Sequence, residues 1–123
     1  VMKLAVNSLI HGINQTLAEA MTLAEAGGIA PEAAFDVIEA SAACAPMLKY
    51  RRPLYLDEAS HEVTFTIALA EKDMAITTAL AKRLGVAMPQ GQVTLEKLAK
   101  AKASGFANRD MASILNFMRE TNQ

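Results

Sequence analysis

Residues 1–28 read VMKLAVNSLIHGINQTLAEAMTLAEAGG, and this stretch decides the fold. Leu4, Leu9, Ile10, Ile13, Leu17, Met21 and Leu23 recur at helical spacing, in a stripe broad enough to be covered on more than one side. The pattern predicts a helix over residues 2–26, closed at Gly27-Gly28 by a left-handed cap. At about 1.5 Å per residue it is ~38 Å long and suited to a central spine. Lys3 and Asn7 stand out at its start. They are four residues apart, so they share one face. A core helix has no use for them, and a surface helix would carry more charge. We therefore expect the first turn to face a ligand, and the chain to be the second half of a larger protein.

The chain has 123 residues, enough for one domain with a real core. It is 52% hydrophobic, 20% charged and only 5% aromatic, a balance that suits a folded unit. Ala, Leu and Met abound, and these residues favour helix over strand. A net charge of −1 argues against a nucleic-acid partner, which calls for a basic field. It also disfavours a helix-turn-helix DNA binder, because no helix presents a basic reading face. The single cysteine, Cys44, excludes an internal disulfide and fits a reducing compartment. No apolar run approaches a membrane span, so no membrane partner is expected and the cytoplasm is the expected location.

Downstream, Pro31 opens APEAAFDVIEAS as a new helix, with Glu32 in its first turn. Residues 41–62 are mixed: a short helix is expected at 46–50, followed by loop through Pro53. FTIALAEKDMAITTALAKRLG, residues 65–85, reads as a second long helix capped near Gly85. Pro89 opens a helix to about residue 103, and Asp110 leads a terminal helix of about three turns. No segment alternates with period two. The expected fold is all-α, a single bundle of about five or six helices around a long N-terminal spine.

Several chemistries are absent from the pattern. The six glycines form neither GxGxxG nor a P-loop, so the chain carries no backbone cradle for a pyrophosphate. HEVTF at residues 61–65 lacks the second His of a zincin motif, and no metal site is expected. Lys3 and Asn7 could supply a proton donor beside an amide that fixes a substrate oxygen, but spacing alone favours a solvated Lys beside a surface Asn. Glu71-Lys72-Asp73 places three charges in an apolar helix, the mark of an exposed stripe or a polar pocket. Phe65, eight residues before Asp73, reads as core. Tyr50-Arg51-Arg52 could grip an anion but reads more readily as a surface loop, Lys97, Lys100, Lys102 and Arg109 read as a solvated face, and the seven Met as core filler.

These pieces together resemble the β-hydroxyacid dehydrogenase family, which includes 3-hydroxyisobutyrate dehydrogenases and semialdehyde reductases, with 6-phosphogluconate dehydrogenases as more distant relatives. Lys3, Asn7, Ala18-Glu19-Ala20 and Gly27-Gly28 match the helix that follows the family's cofactor domain. Phe65, Lys72-Asp73, Gly85 and Pro89 match a second hallmark, and GFANRDMASIL, residues 105–115, resembles the C-terminal Gly…Asp…Ser segment. The resemblance spans residues 1 to about 120.

It implies that residues 1–123 are a C-terminal all-α substrate and dimerisation domain, whose dinucleotide-binding domain is missing from this chain. It implies Lys3 as the catalytic general acid–base and Asn7 as a substrate ligand. Lys72, Asp73 and Phe65 are implied near the cofactor. That cofactor is NAD or NADP, held mainly by the missing domain, and the isolated chain is expected to be inactive. The implied partners are a small hydroxyacid or semialdehyde substrate and further copies of the same chain. The competing reading is a helical interaction module without chemistry, since so much apolar surface favours association.

Overall fold

The computed structural model describes residues 1–122. Its spine is α1, Met2–Ala26, where the sequence places it. Gly27 stays at φ −80°, and Gly28 alone takes the left-handed turn, at φ +90°. Pro31 occupies the first turn of α2 (Pro31–Glu39), and Pro46 that of α3 (Pro46–Tyr50). Two long helices follow, α5 (Ile67–Arg83) and α6 (Pro89–Ala101), and α7 (Ile114–Thr121) ends the fold. With the one-turn α4 (Arg52–Leu56), the described residues hold five helices of eight residues or more and two single turns, and no strand. The fold is all-α, and no helix among the described residues is long and apolar enough to cross a membrane.

The spine packs against α2, α5, α6 and α7, and α5 against α6. Leu17, Ala18 and Met21 of α1 meet Phe35 of α2, Met74 of α5, Leu98 of α6 and Ile114 and Phe117 of α7 in one continuous core. The apolar stripe of α1 is only partly used: Leu9 and Leu23 are exposed on the outer face.

Three local expectations change. The segment after residue 50 is not loop. Pro53 sits in the first turn of α4, where a missing N–H costs nothing. The long helix α5 starts at Ile67, not at Phe65, because Thr66 caps it by accepting from the Leu69 N–H at 3.1 Å. Phe65 lies in a bend before that cap. The Met111 N–H donates to the Phe65 carbonyl at 2.7 Å, and the Ile67 N–H to the Arg109 carbonyl at 2.9 Å. Finally, α6 ends at Ala101 in a wide turn over Lys102–Phe106, where Gly105 takes φ +94°. Asp110 then caps a 3-10 turn, Met111–Ser113, ahead of α7.

This local geometry depends on a buried ion pair. Arg51, expected on a surface loop, lies between α3 and α4 and is 8% exposed. It donates through Nη2 to Oδ1 of the fully buried Asp110, and through Nη1 to Thr64 Oγ1 at 2.9 Å. Asp110 also accepts from the N–H groups of Ala112 (2.9 Å), Thr64 (2.9 Å) and Phe65 (3.3 Å). A buried carboxylate with that many donors is well satisfied. The desolvation that pushes its pKa up is outweighed by the Ala112 and Thr64 N–H groups and by Arg51, so it stays below the ordinary value. Arg52, its neighbour in sequence, instead pairs at the surface with Asp36 (2.7 Å) and Glu39 (3.5 Å).

Candidate functional site

A polar stripe runs along α1: Lys3, Asn7, His11 and Asn14. At ~100° per residue these four fall within about 80° of arc. The lower end is locked. Asn14 donates to the Met111 carbonyl at 3.0 Å and accepts from the Tyr55 hydroxyl at 2.6 Å, both deep in the core. Burial pushes the Tyr55 phenol pKa up, so it stays a neutral donor.

The middle of the stripe meets α5. The Asn7 amide donates to Asp73 Oδ2 at 3.3 Å, and His11 Nε2 lies 3.2 Å from the same oxygen. Burial holds the His11 pKa below its ordinary value, against the pull of Asp73, with Arg51 adding to the lowering. The imidazole is therefore neutral, its Nε2 carries the proton donated to Asp73, and Nδ1 is left as a buried acceptor without a partner among the described residues. No Lys or Arg among the described residues pairs with Asp73, whose partners are two neutral donors.

Beside this trio lies a recess of about 210 Å³. Its polar lining is Asn7, His11, Asp73 and Arg51, and its walls are Ile10, Met47, Phe65 and Met111, with Tyr50 at the rim. The His11 and Phe65 rings are 5.7 Å apart, centroid to centroid. The Arg51 charge is consumed by Asp110, so among the described residues that line the recess Asp73 carries the charge without a cationic partner.

Of the residues singled out from the sequence, Asn7, Asp73 and Phe65 converge here from positions up to 66 residues apart. Lys3 and Lys72 do not line the recess. Lys3 is exposed on the first turn of α1, one turn before Asn7, and Lys72 is exposed on α5. His11 was not among the candidate site residues, though it is legible as the third member of the series 3, 7, 11. Arg51 stood out in the sequence only within the run Tyr50-Arg51-Arg52, and nothing local separates it from Arg52.

The family model for the NAD-binding domain of NADP-dependent 3-hydroxyisobutyrate dehydrogenase matches residues 1–118. The chain belongs to this family. Arabidopsis thaliana glyoxylate/succinic semialdehyde reductase 1 is 25% identical over 118 residues, covering 96% of this chain and 40% of the relative. The chloroplastic reductase 2 of the same plant is 24% identical, covering 96% of this chain and 33% of the relative. The fold matches that of Mycobacterium tuberculosis 3-hydroxyisobutyrate dehydrogenase, solved with L-serine, at a TM-score of 0.85 and 22% identity, over 96% of this chain and 42% of that one. The Salmonella typhimurium 3-hydroxyisobutyrate dehydrogenase matches at 0.83 and 22% identity, over 94% and 40%. This chain thus spans between a third and two fifths of the length of the curated relatives it matches.

Proposed function

We propose that the chain is the C-terminal, substrate-side domain of an NAD(P)-dependent oxidoreductase that interconverts a small β-hydroxyacid with its semialdehyde or ketoacid. The observation that carries this reading is the convergence of Asn7, Asp73 and Phe65 on one recess, at the end of α1 that also bears Lys3. By donating one N–H to Asp73, the Asn7 amide is fixed in orientation, with its carbonyl oxygen and second N–H left for a ligand. Lys3, one helical turn away, is the proton donor to a substrate carbonyl oxygen and the base toward the hydroxyl in reverse. The bound dinucleotide supplies or accepts hydride at the substrate carbon.

The residues present fit only the margin of such a cofactor. The six glycines form no cradle for a pyrophosphate, and the three with positive φ, Gly28, Gly85 and Gly105, all follow helix C-termini. The exposed cation of Lys72, next to Asp73, suits a phosphate-bearing dinucleotide. The bulk of NAD or NADP then belongs to a dinucleotide-binding domain preceding Val1, whose approach also covers the exposed Lys3. On this reading, residues 1–123 alone do not turn over substrate.

The test is NADH and NADPH oxidation by the full-length protein against glyoxylate, succinic semialdehyde, tartronate semialdehyde and methylmalonate semialdehyde. Lys3→Ala should lower kcat by about 10²–10⁴, the usual contribution of a general acid–base. A Lys3→Ala variant as active as its parent refutes the mechanism. No turnover of any substrate in the panel by the parent would favour the interaction-module reading, for which the exposed Met2, Val6 and Leu9 on the outer face of α1 are the supporting observation.

A further inference from the structure

We infer that His11 is a positioning residue, which fixes the substrate-binding amide of Asn7 through the shared carboxylate oxygen of Asp73. The inference rests on the function proposed above and assigns a role to a residue outside it.

The geometry is a three-residue relay. Asp73 Oδ2 accepts from both Asn7 (3.3 Å) and His11 (3.2 Å). Asn7 is half-buried at the rim, Asp73 is a quarter exposed, and His11 is 3% exposed beneath them. Asn7 and His11 are the side-chain partners of the Asp73 carboxylate among the described residues, and no Lys or Arg among them pairs with it. His11 is then the buried anchor. It enters from α1, while Phe65 packs beside its ring from the segment before α5. With Oδ2 held from below, the carboxylate presents a fixed acceptor to Asn7, and no other hydrogen bond among the described residues holds the Asn7 side chain.

The arrangement also explains why this residue is a histidine. A donor is needed at the reach of Nε2. A charge is not, because burial disfavours the imidazolium and the nearby Arg51 cation adds to that. Neutral imidazole meets both demands, at the cost of one unpartnered buried acceptor, Nδ1. A buried polar atom left unmatched beside a functional recess is an expense that a purely packing residue would avoid. Leu at this position would fill the space without that cost.

The experiment uses the full-length protein and whichever substrate turns over in the panel. His11→Gln keeps an N–H near the place of Nε2, whereas His11→Asn is polar but too short to reach Asp73. His11→Asn should raise the substrate KM about tenfold or more and leave the KM for NAD(P)H unchanged. His11→Gln should bring the substrate KM back to within about threefold of the parent. Combined with Asn7→Ala, His11→Asn should add less than about twofold, because the two act through one oxygen. Equal KM values for the Gln and Asn variants, or a full His11→Asn loss in the Asn7→Ala background, overturn the inference. Lys3→Ala in the same assay separates the two claims. If it is inactive while the His11 and Asn7 losses simply multiply, only the role of His11 falls; if it is fully active, the proposed reaction mechanism falls.

Discussion

The Arg51–Asp110 pair should be asymmetric, and the asymmetry can be worked from its partners. Asp110→Ala strips Arg51, 8% exposed, of its carboxylate and leaves it the neutral Thr64 hydroxyl, with Nε already unmatched among the described residues. It also orphans the N–H groups of Ala112, Thr64 and Phe65. Removing one member of a buried pair costs about 3–5 kcal/mol, and the loss here should sit at the upper end. Arg51→Met removes the other member. Asp110 then keeps three backbone donors and the Thr64 hydroxyl, so its charge stays solvated by the protein. The cost should be about 1.5–3 kcal/mol, the range for hydrogen bonds to a charged group. Urea unfolding followed by far-ultraviolet circular dichroism measures both. Domains are stable by only about 5–15 kcal/mol, so the difference is large enough to read. Equal losses, or a larger loss for Arg51→Met, would refute the view that the backbone donors carry the carboxylate. The consequence for function is direct, because the same carboxylate fixes residues 64–66 and with them the Phe65 wall of the recess.

Acid should destabilise the fold in two steps. The folded pKa of His11 lies below the ordinary 6.5, so below that pH the unfolded chain binds a proton that the folded chain refuses, and stability falls with falling pH. Asp110 does the same below the ordinary carboxyl value of 3.8. Melting temperatures from pH 8 to 3 should show both slopes; His11→Gln should remove the first and Asp110→Asn the second, and an unchanged slope in either variant counts against the assignment. At the end of the spine, Gly28→Ala should cost about 1 kcal/mol or more, because φ is +90°, while Gly27→Ala at φ −80° should cost well under that. Equal melting temperatures for the two variants would contradict the left-handed turn at residue 28.

Why α1 was legible and the recess was not comes down to the range of the forces involved. The spine, α3 and the start of α6 follow from residue spacing and from Pro at a first turn, which are local properties of ten or twenty residues. Pro53 obeys the same first-turn rule as Pro31, Pro46 and Pro89, so α4 was readable in principle, although Pro53 there reads equally as an interruption. Asn7 and Asp73 were flagged by resemblance, but their contact joins residues 66 apart and no periodicity encodes it. The arginines make the point sharply. Arg51 and Arg52 are adjacent and chemically identical, yet one is sealed against Asp110 and the other lies over the Phe35 ring beside Asp36 and Glu39. Their fates are decided by one residue's rotation along the backbone, ~100° on a helix, and by an acid 59 residues downstream. A buried charge is tolerated only where donors and acceptors from distant segments meet it. Such a charge is therefore the feature a linear reading is least able to place, and it is also what fixes the shape of the recess.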